Sequence, residues 1–275
     1  MELFLLLGLF ALGSSFISAS DDDADDDTVD IDNEVAGTDG DETLVGSDGN
    51  DLINAHGGDD SLAGGLGSDI LLGGLGDDTI SGGGGDDAIG GSRGDDLIMA
   101  GSGDDFAYGG IHDDTIHGQG GHDLLIGGRG NDNLDGGSGD DILDGYYDTT
   151  RDDNFATADV FDADTLIGGS GDDILIMGSG DEAIGGAGED IFVTGSYVAG
   201  TDLPVVQDFE PSEDVLAVFV PTSAAGVVTV ESADDDAATA IVLVDGVEVA
   251  RVEGGYGTFN SSNLSLVRSD NFAAA

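Results

Sequence analysis

One feature of the sequence restricts the fold more than any other, a nine-residue phrase that repeats without a slip from residue 37 to residue 144 in twelve consecutive copies. Three of these copies, from Gly64 to Gly90, read GGLGSDILLGGLGDDTISGGGGDDAIG. A repeat this short cannot bury an apolar face by itself, so neighbouring copies must stack on one another. The period therefore predicts a solenoid built from many small units.

The nine positions of the repeat differ in how much the residue type varies between copies. Position one is Gly or Ala, position four is Gly except at His112, and position eight is Leu or Ile except at Ala107. Position six is acidic in every copy and begins with Glu42. The other position-six residues are Asp51, Asp60, Asp69, Asp78, Asp87, Asp96, Asp105, Asp114, Asp123, Asp132 and Asp141.

The phrase Gly-Gly-x-Gly-x-Asp-x-apolar-x resembles the calcium-binding repeat of RTX (hemolysin-type) proteins, and residues 37–144 and 164–194 carry it. The resemblance implies several bound Ca²⁺ ions. It also implies an all-β fold, a parallel β-roll (β-solenoid) of nonapeptide repeats with a β-rich C-terminal cap. The implied ligands are the eleven aspartates above, Asp173 and Asp190 in the second block, and the turn glycines Gly65, Gly67, Gly74, Gly76, Gly83 and Gly85.

The physical chemistry of the phrase agrees with that resemblance. Six residues rich in Gly and ending in Asp predict a turn, and the next three predict a very short strand. With two units per coil, copy n stacks on copy n+2, which places Asp69 beside Asp51 and Asp87. Carboxylates about 5 Å apart repel by about 3 kcal/mol at an effective dielectric of about 20, and a hard dication between them reverses the sign. We therefore expect the metal-free segment to be largely unfolded.

The amino-acid composition limits which binding partners and which kinds of catalytic site the chain can have. The chain has 59 acidic and 5 basic residues, for a net charge of −54, so it repels nucleic acid and attracts cations. It contains no cysteine and no HExxH, GxSxG or GxxxxGK[ST] motif, and we expect no enzymatic activity. His112, His117 and His122 fall at different repeat positions, and we expect them to be surface residues.

Stacking copies two apart sorts the position-seven residues into two faces. The odd face carries Thr43, Ser61, Thr79, Leu97, Thr115 and Asn133. The even face is apolar and carries Leu52, Ile70, Ala88, Phe106, Leu124 and Ile142. A long apolar strip usually marks a contact surface, so we expect the even face to be covered by the C-terminal region or by a protein or cell-surface partner.

The N-terminal residues precede the repeats. Residues 1–20 are hydrophobic and end in small residues, but no basic leader precedes the apolar run. A cleaved signal peptide and a retained N-terminal membrane anchor are the two interpretations. Residues 21–36 are an acidic linker.

The register breaks after Asp144, and residues 145–163 are interpreted as an insertion loop. Repeats resume over residues 164–194, where Glu182 is read as the acid that replaces Asp in a weaker copy. Residues 195–275 are Val-rich and predict strands, with a hairpin turn at Asp245-Gly246. The stretch VVQDFEPSEDVLAV resembles the segment after the repeats in serralysin-type RTX exoproteins, which implies a cap and a C-terminal secretion signal.

The sequence favours a secreted, extracellular or cell-surface calcium-binding protein that folds on Ca²⁺ outside the cell and has a structural or interaction role. One alternative is an adhesin or ice-binding solenoid that uses the odd face. Another is a secreted enzyme with its site in residues 145–163 or in the C-terminal region. The export route, N-terminal or C-terminal, stays open at the level of sequence.

Overall fold

The computed structural model describes residues 31–145, 163–195, 203–220, 226–232, 239–253, 259 and 263–268. Within these residues every regular element longer than one residue is a strand. The strands are β1 (Asn33–Ala36), β2 (Thr43–Val45), β3 (Asp51–Asn54), β4 (Ser61–Leu66), β5 (Ile70–Leu75), β6 (Thr79–Gly84), β7 (Ala88–Arg93), β8 (Leu97–Ser102), β9 (Phe106–Ile111), β10 (Thr115–Gly120), β11 (Leu124–Arg129), β12 (Asn133–Ser138), β13 (Ile142–Asp144), β14 (Thr165–Ser170), β15 (Ile174–Ile176), β16 (Glu182–Ala187), β17 (Ile191–Gly195), β18 (Val205–Val206), β19 (Val215–Val220), β20 (Val228–Ser232), β21 (Ala240–Val244), β22 (Val247–Val252) and β23 (Leu264–Arg268).

The strands alternate between two sheets along the chain. The even sheet, named for the even-numbered copies it contains, has the order β1-β3-β5-β7-β9-β11-β13-β15-β17-β19-β23. The odd sheet has the order β2-β4-β6-β8-β10-β12-β14-β16-β18-β22-β21-β20. Within the first block, strands 18 residues apart pair in parallel, as where Leu52 lies beside Ile70. This pairing confirms the all-β parallel roll and the stacking of copy n on copy n+2.

The strands are longer than the sequence suggested. Strand β4 spans positions seven to nine of one copy and positions one to three of the next, so only positions four to six form the turn. The expectation of a six-residue turn and a three-residue strand was wrong, because glycine backbone groups complete a parallel ladder without side chains. Leu66 N donates to Ser47 O at 3.3 Å, and Gly67 N donates to Gly84 O at 2.7 Å.

The core is a file of position-eight side chains between the two sheets. Ile53, Leu71, Ile89, Leu125 and Leu143 are all 0% exposed. Each such side chain is flanked in sequence by more exposed residues at positions seven and nine, which gives the period-two alternation of a strand with one buried face. The apolar position eight therefore fixes which face of each strand points inward.

The C-terminal strands continue both sheets at the end of the roll. Strand β18 lies between β16 and β22, and strand β19 lies between β17 and β23. Strands β21 and β22 form the expected hairpin, whose turn residues Asp245 and Gly246 have φ angles of 53° and 82°. The described C-terminal strands are thus in line with the roll and do not lie across its even face.

The insertion leaves the stacking unchanged. Strand β12 pairs with β14 across it, and β13 pairs with β15. Residues 1–20, most of the linker 21–36 and most of the insertion 145–163 lie outside the described residues. In the parts of the chain that are described, no helix has the length and apolar character needed to cross a bilayer.

Candidate metal centre

The acidic residues of position six form two columns, one along an edge of each sheet. The even column precedes the even-sheet strands and contains Asp51, Asp69, Asp87, Asp105, Asp123, Asp141, Asp173, Asp190 and Asp214. The odd column precedes the odd-sheet strands and contains Glu42, Asp60, Asp78, Asp96, Asp114, Asp132, Asp164 and Asp181. The structure therefore aligns all thirteen sequence-predicted aspartates.

From Asp60 and Asp69 onward, one carboxylate oxygen of each column aspartate links it to the preceding coil. Asp69 Oδ1 accepts a hydrogen bond from Asp51 N at 2.8 Å, and Asp87 Oδ1 accepts one from Asp69 N at 2.8 Å. The same link recurs along both columns, and the Asp190 N to Asp214 Oδ1 distance of 3.1 Å is its longest instance. The column is therefore a continuous chain of main-chain-to-carboxylate hydrogen bonds.

The second oxygen of many of these aspartates is buried and has no hydrogen-bond partner. Buried polar atoms are normally hydrogen-bonded, so a column of unsatisfied oxygens points to a missing ligand. The atoms are Oδ2 of Asp60, Asp69, Asp78, Asp87, Asp96, Asp105, Asp114, Asp123, Asp141 and Asp173. Their carboxylates are at most 3% exposed.

The unpaired oxygen lies against position one, which is Gly in ten of the twelve copies and Ala in the other two. Asp69 Oδ2 lies 2.2 Å from the point where a Cβ on Gly64 would be, and Gly82 O lies 2.7 Å from that same point. The carboxylate oxygen and a main-chain carbonyl oxygen of the next coil are therefore close to each other. A larger residue at Gly64 would fill the space that these two oxygens border.

The six sequence-predicted glycines lie in the turns that lead to the column. Gly65, Gly74 and Gly83 are at position two and Gly67, Gly76 and Gly85 at position four, all with positive φ between 106° and 124°. A Cβ on Gly83 would overlap Gly65 O, and a Cβ on Gly85 would overlap Gly67 O. These carbonyl oxygens thus point along the roll into the gap between successive coils.

Burial makes the columns poor places for negative charge without a counterion. Burial, with a smaller contribution from the charges of Asp69 and Asp86, raises the pKa of Asp87 to about 7. The same causes, with Asp96 as the main charged neighbour, raise the pKa of Asp114 to about 8. The main-chain N–H bonds oppose these shifts without cancelling them. Without a cation, interior carboxyls such as Asp87 and Asp114 are therefore partly protonated near neutral pH.

Position five forms a second set of links, which the sequence analysis missed. Asp77 N donates to Asp59 Oδ1 at 3.0 Å, and Asp95 N donates to Asp77 Oδ1 at 2.9 Å. In these links the earlier coil supplies the acceptor, whereas at position six the later coil does. The signal was present, because position five is Asp, Asn, Ser or His in all twelve copies of the first block. Each of these side chains can accept a hydrogen bond.

Three further column members were also missed. Asp164 accepts from Asp132 N at 2.7 Å, Asp181 accepts from Asp164 N at 2.9 Å, and Asp214 completes the even column. The interpretation of Glu182 as the position-six acid was wrong. Glu182 begins strand β16 and receives a hydrogen bond from Gln207, because a one-residue deletion in the preceding turn moves Asp181 into the column.

The arrangement supplies carboxylate and carbonyl oxygens, which are the ligands that Ca²⁺ takes at flexible coordination numbers. No three His, Cys, Asp or Glu side chains meet at one point within the described ranges. The main-chain carbonyl oxygens beside the columns are further candidate ligands. The three histidines do not share a site. His117 lies 3.4 Å from Asp135, and His122 Nδ1 accepts from Asp140 N at 2.9 Å.

Fold and site together define a parallel β-roll whose edges are columns of buried, partly unsatisfied carboxylates. The profile of the RTX calcium-binding nonapeptide repeat family matches residues 36–71, 64–98, 90–125, 117–146 and 161–181. The matched residues are RTX calcium-binding nonapeptide repeats, and this confirms the expectation from sequence. The family also supports Ca²⁺ as the ion that the repeats bind.

Two solved structures are similar to the chain at low identity. The R3 subunit of the mannuronan C5-epimerase AlgE6 from Azotobacter vinelandii is 24% identical, covers 62% of this chain and 82% of its own, and has a TM-score of 0.23. The extracellular lipase LipA from Serratia marcescens is 17% identical, covers 82% of this chain and 40% of its own, and has a TM-score of 0.27. Comparison with curated proteins gives no match.

Proposed function

We propose that this protein is secreted, folds when Ca²⁺ binds to its two columns outside the cell, and acts as a structural or interaction protein without enzymatic activity. The proposed ligands are carboxylate oxygens from the interior of the two columns together with the turn carbonyls. By residue they are Asp60, Asp69, Asp78, Asp87, Asp96, Asp105, Asp114, Asp123, Asp132, Asp141, Asp173 and Asp190, with Gly65, Gly67, Gly74, Gly76, Gly83 and Gly85 as carbonyl donors.

The observation that carries the proposal is the file of buried Oδ2 atoms without hydrogen-bond partners. A protein does not retain so many unsatisfied anionic oxygens unless something neutralises them. Protons can do so in acid, but at neutral pH a dication offers a stronger and multivalent alternative. Ca²⁺ suits the gap because it accepts carbonyl oxygens and irregular geometry, whereas Mg²⁺ demands a compact octahedron and keeps its water.

Folding outside the cell follows from the coupling of ion binding to structure. Binding energy appears as folding energy when the unfolded chain has no preformed site. Each proposed site joins two coils that are well separated in the chain, by 18 residues for Asp69 and Asp87. A chain that meets abundant Ca²⁺ only after export would therefore stay unfolded during transport.

The structural role is supported by the kind of chemistry that repeats along the roll. The site residues are one residue type at one position of every unit, which provides many equivalent cation sites and no distinct pair of acid and base. The even face offers a surface for a protein or cell-surface contact around Ile142, which is 37% exposed, whereas Ala88 and Phe106 on the same face are each only 8% exposed. Residues 1–20 would provide membrane anchoring if they are retained.

The test is a calcium titration of the full chain followed by circular dichroism and sedimentation velocity. We expect an extended chain in chelator, cooperative β-structure with Ca²⁺, and little response to the same concentration of Mg²⁺. A metal-free chain that is already compact and protease-resistant, and that does not change on adding Ca²⁺, would overturn the proposal. Screening the calcium-loaded protein for hydrolase and lyase activities tests the absence of catalysis.

A further inference from the structure

The ends of the two columns differ from their interiors. At the N-terminal end of the even column, Asp51 Oδ2 is not unpaired. It accepts a hydrogen bond from Ser47 N at 2.5 Å and another from Ser47 Oγ at 3.0 Å. The next member, Asp69, has no partner on the equivalent oxygen. A main-chain N–H therefore donates to Oδ2 of the first aspartate, whereas Oδ2 of the second aspartate has no hydrogen-bond donor.

The odd column begins in the same way. Glu42 Oε2 accepts from Thr38 N at 2.9 Å, and its other oxygen accepts from the Thr38 hydroxyl. Thr38 precedes Glu42 by four residues, the same offset as Ser47 from Asp51. The following acid, Asp60, again has an Oδ2 without a partner.

The C-terminal ends repeat this closure with unrelated local sequences. Asp214 Oδ2 accepts from Glu210 N at 2.7 Å in the last described turn of the even column. Asp181 Oδ2 accepts from Gly178 N at 2.7 Å, in the turn shortened by the one-residue deletion. In the next odd-sheet coil the residue that precedes strand β18 is Pro204, which has neither a carboxylate to accept a hydrogen bond nor an N–H to donate one, so the column ends before it. All four column ends are therefore closed by the chain itself.

We infer that Ca²⁺ occupies only the interior of each column, and that Glu42, Asp51, Asp181 and Asp214 are metal-free caps in which a main-chain N–H takes the place of the ion. This inference rests on the proposed function, since it assumes that the unpaired interior oxygens bind calcium. The N–H hydrogen carries positive charge and lies on the lone pair that an ion would need. The caps thus fix where each row of ions starts and stops.

The inference has a functional consequence for the metal-free chain. The four cap turns satisfy their carboxylates with neighbours three or four residues away, so they form without an ion. The interior turns depend on oxygens from two coils and an ion between them. Calcium dependence should therefore reside in the interior coils, and the capped ends should respond weakly to calcium.

The experiment counts ions on the folded full-length chain by native mass spectrometry at saturating Ca²⁺. The cap variants are Asp51→Asn and Asp214→Asn, at opposite ends of the even column. The interior variants are Asp87→Asn and Asp123→Asn in the same column. In the interior variants Asn keeps the oxygen that accepts the main-chain N–H of the preceding coil, so the column can still form. Asp214 accepts a main-chain N–H on each oxygen, so Asp214→Asn loses one of these two hydrogen bonds. Counting ions only on folded molecules separates ion loss from unfolding.

We expect each interior variant to lose one or two ions per molecule and each cap variant to lose none. If the cap variants lose ions as the interior variants do, the inference is overturned while the proposed function stands. If the interior variants lose no ions, the ligand assignment in the proposed function is wrong and the inference falls with it. As a second readout, the calcium midpoint of folding should rise several-fold for the interior variants and stay within twofold for Asp51→Asn, because the Ser47 hydroxyl can accept from the Asn amide while its oxygen accepts from Ser47 N.

Discussion

Replacement of Asp105 by Asn should change stability in opposite directions with and without calcium. Asp105 lies in the middle of the even column, is 3% exposed, and has an Oδ2 without a hydrogen-bond partner. Asn retains the oxygen that accepts Asp87 N at 2.8 Å and removes only the charge and the second oxygen. The matched control is Asp104→Asn at the preceding residue. The carboxylate of Asp104 is exposed and accepts a hydrogen bond from His122 N at 2.8 Å.

The expected magnitudes follow from the spacing of the column. Neighbouring strands lie about 4.8 Å apart, and two like charges at that distance repel by about 3 kcal/mol at an effective dielectric of about 20. In chelator, Asp105→Asn removes this repulsion toward Asp87 and Asp123, so it should stabilise the metal-free fold. Burial and these same neighbours raise the pKa of Asp105 to about 7, so part of the gain is lost where the column is protonated. With Ca²⁺ at about one hundred times its dissociation constant, each lost site removes about 2.7 kcal/mol.

The assay is urea unfolding in Ca²⁺ and folding driven by trimethylamine N-oxide in chelator, both followed by circular dichroism at about pH 8, where most ordinary carboxylates are ionised. Asp105→Asn should lower the urea midpoint in calcium and lower the osmolyte midpoint in chelator. Asp104→Asn should change the free energy of unfolding by no more than about 0.5 kcal/mol in either condition. The reasoning fails if Asp105→Asn stabilises the fold in both conditions or destabilises it in both, or if Asp105→Asn and Asp104→Asn have the same effect.

Three other predictions test separate parts of the structure. In chelator, the folded roll should gain stability on acidification from about pH 8 to pH 5. Burial raises the pKa of carboxyls such as Asp87 to about 7, whereas the same groups in the unfolded chain have the ordinary pKa of about 3.8. Circular dichroism across a pH series checks this, and a chain that is equally unfolded at pH 8 and pH 5 contradicts it. The sign follows because a group whose pKa is raised by folding stabilises below the unfolded value and loses that contribution as the pH rises through the folded value. Gln119→Gly should stabilise the calcium-bound protein by about 0.5–1 kcal/mol in urea unfolding, since Gln119 has a φ of 77° that costs L-residues about 1–2 kcal/mol, whereas Gln119→Ala, which keeps the Cβ, should be neutral. If the even face is a contact surface, Leu124→Asp should reduce association or partner binding in light scattering, whereas Thr79→Asp on the odd face should not.

The part of the fold that was predictable from sequence depends on side chains that recur at a fixed spacing. Leu71 at position eight and Asp69 at position six each have equivalents 18 residues away, so stacking them fixed both the core and the column in advance. Strand length was not predictable, because residues such as Gly65 enter the ladder through backbone groups alone. The direction of the position-five hydrogen bonds was also not predictable from the sequence, since only the coil geometry decides whether the earlier or the later residue accepts.

The caps could not have been found from the repeat pattern. Asp51 and Asp69 occupy the same repeat position and look identical in sequence. They differ because Ser47 N turns onto the Asp51 carboxylate, and no such donor reaches Asp69 Oδ2. Glu182 was assigned to position six for a related reason, since counting in steps of nine residues does not reveal that one turn is a residue shorter.

The alignment of the carboxylates, and not the length of nine residues, is the constant feature of this roll. Along the even column the main-chain N–H reaches an acid 18 residues ahead at Asp123, 32 ahead across the insertion at Asp141, and 17 ahead at Asp173. The three N to Oδ1 distances are nevertheless 2.8, 2.8 and 3.0 Å. Extra and missing residues are absorbed in loops and turns, because shifting one carboxylate would break both the parallel register and the row of oxygens proposed to share ions. The number of residues in a coil can therefore vary, as long as each acid still lies beside its neighbour in the column.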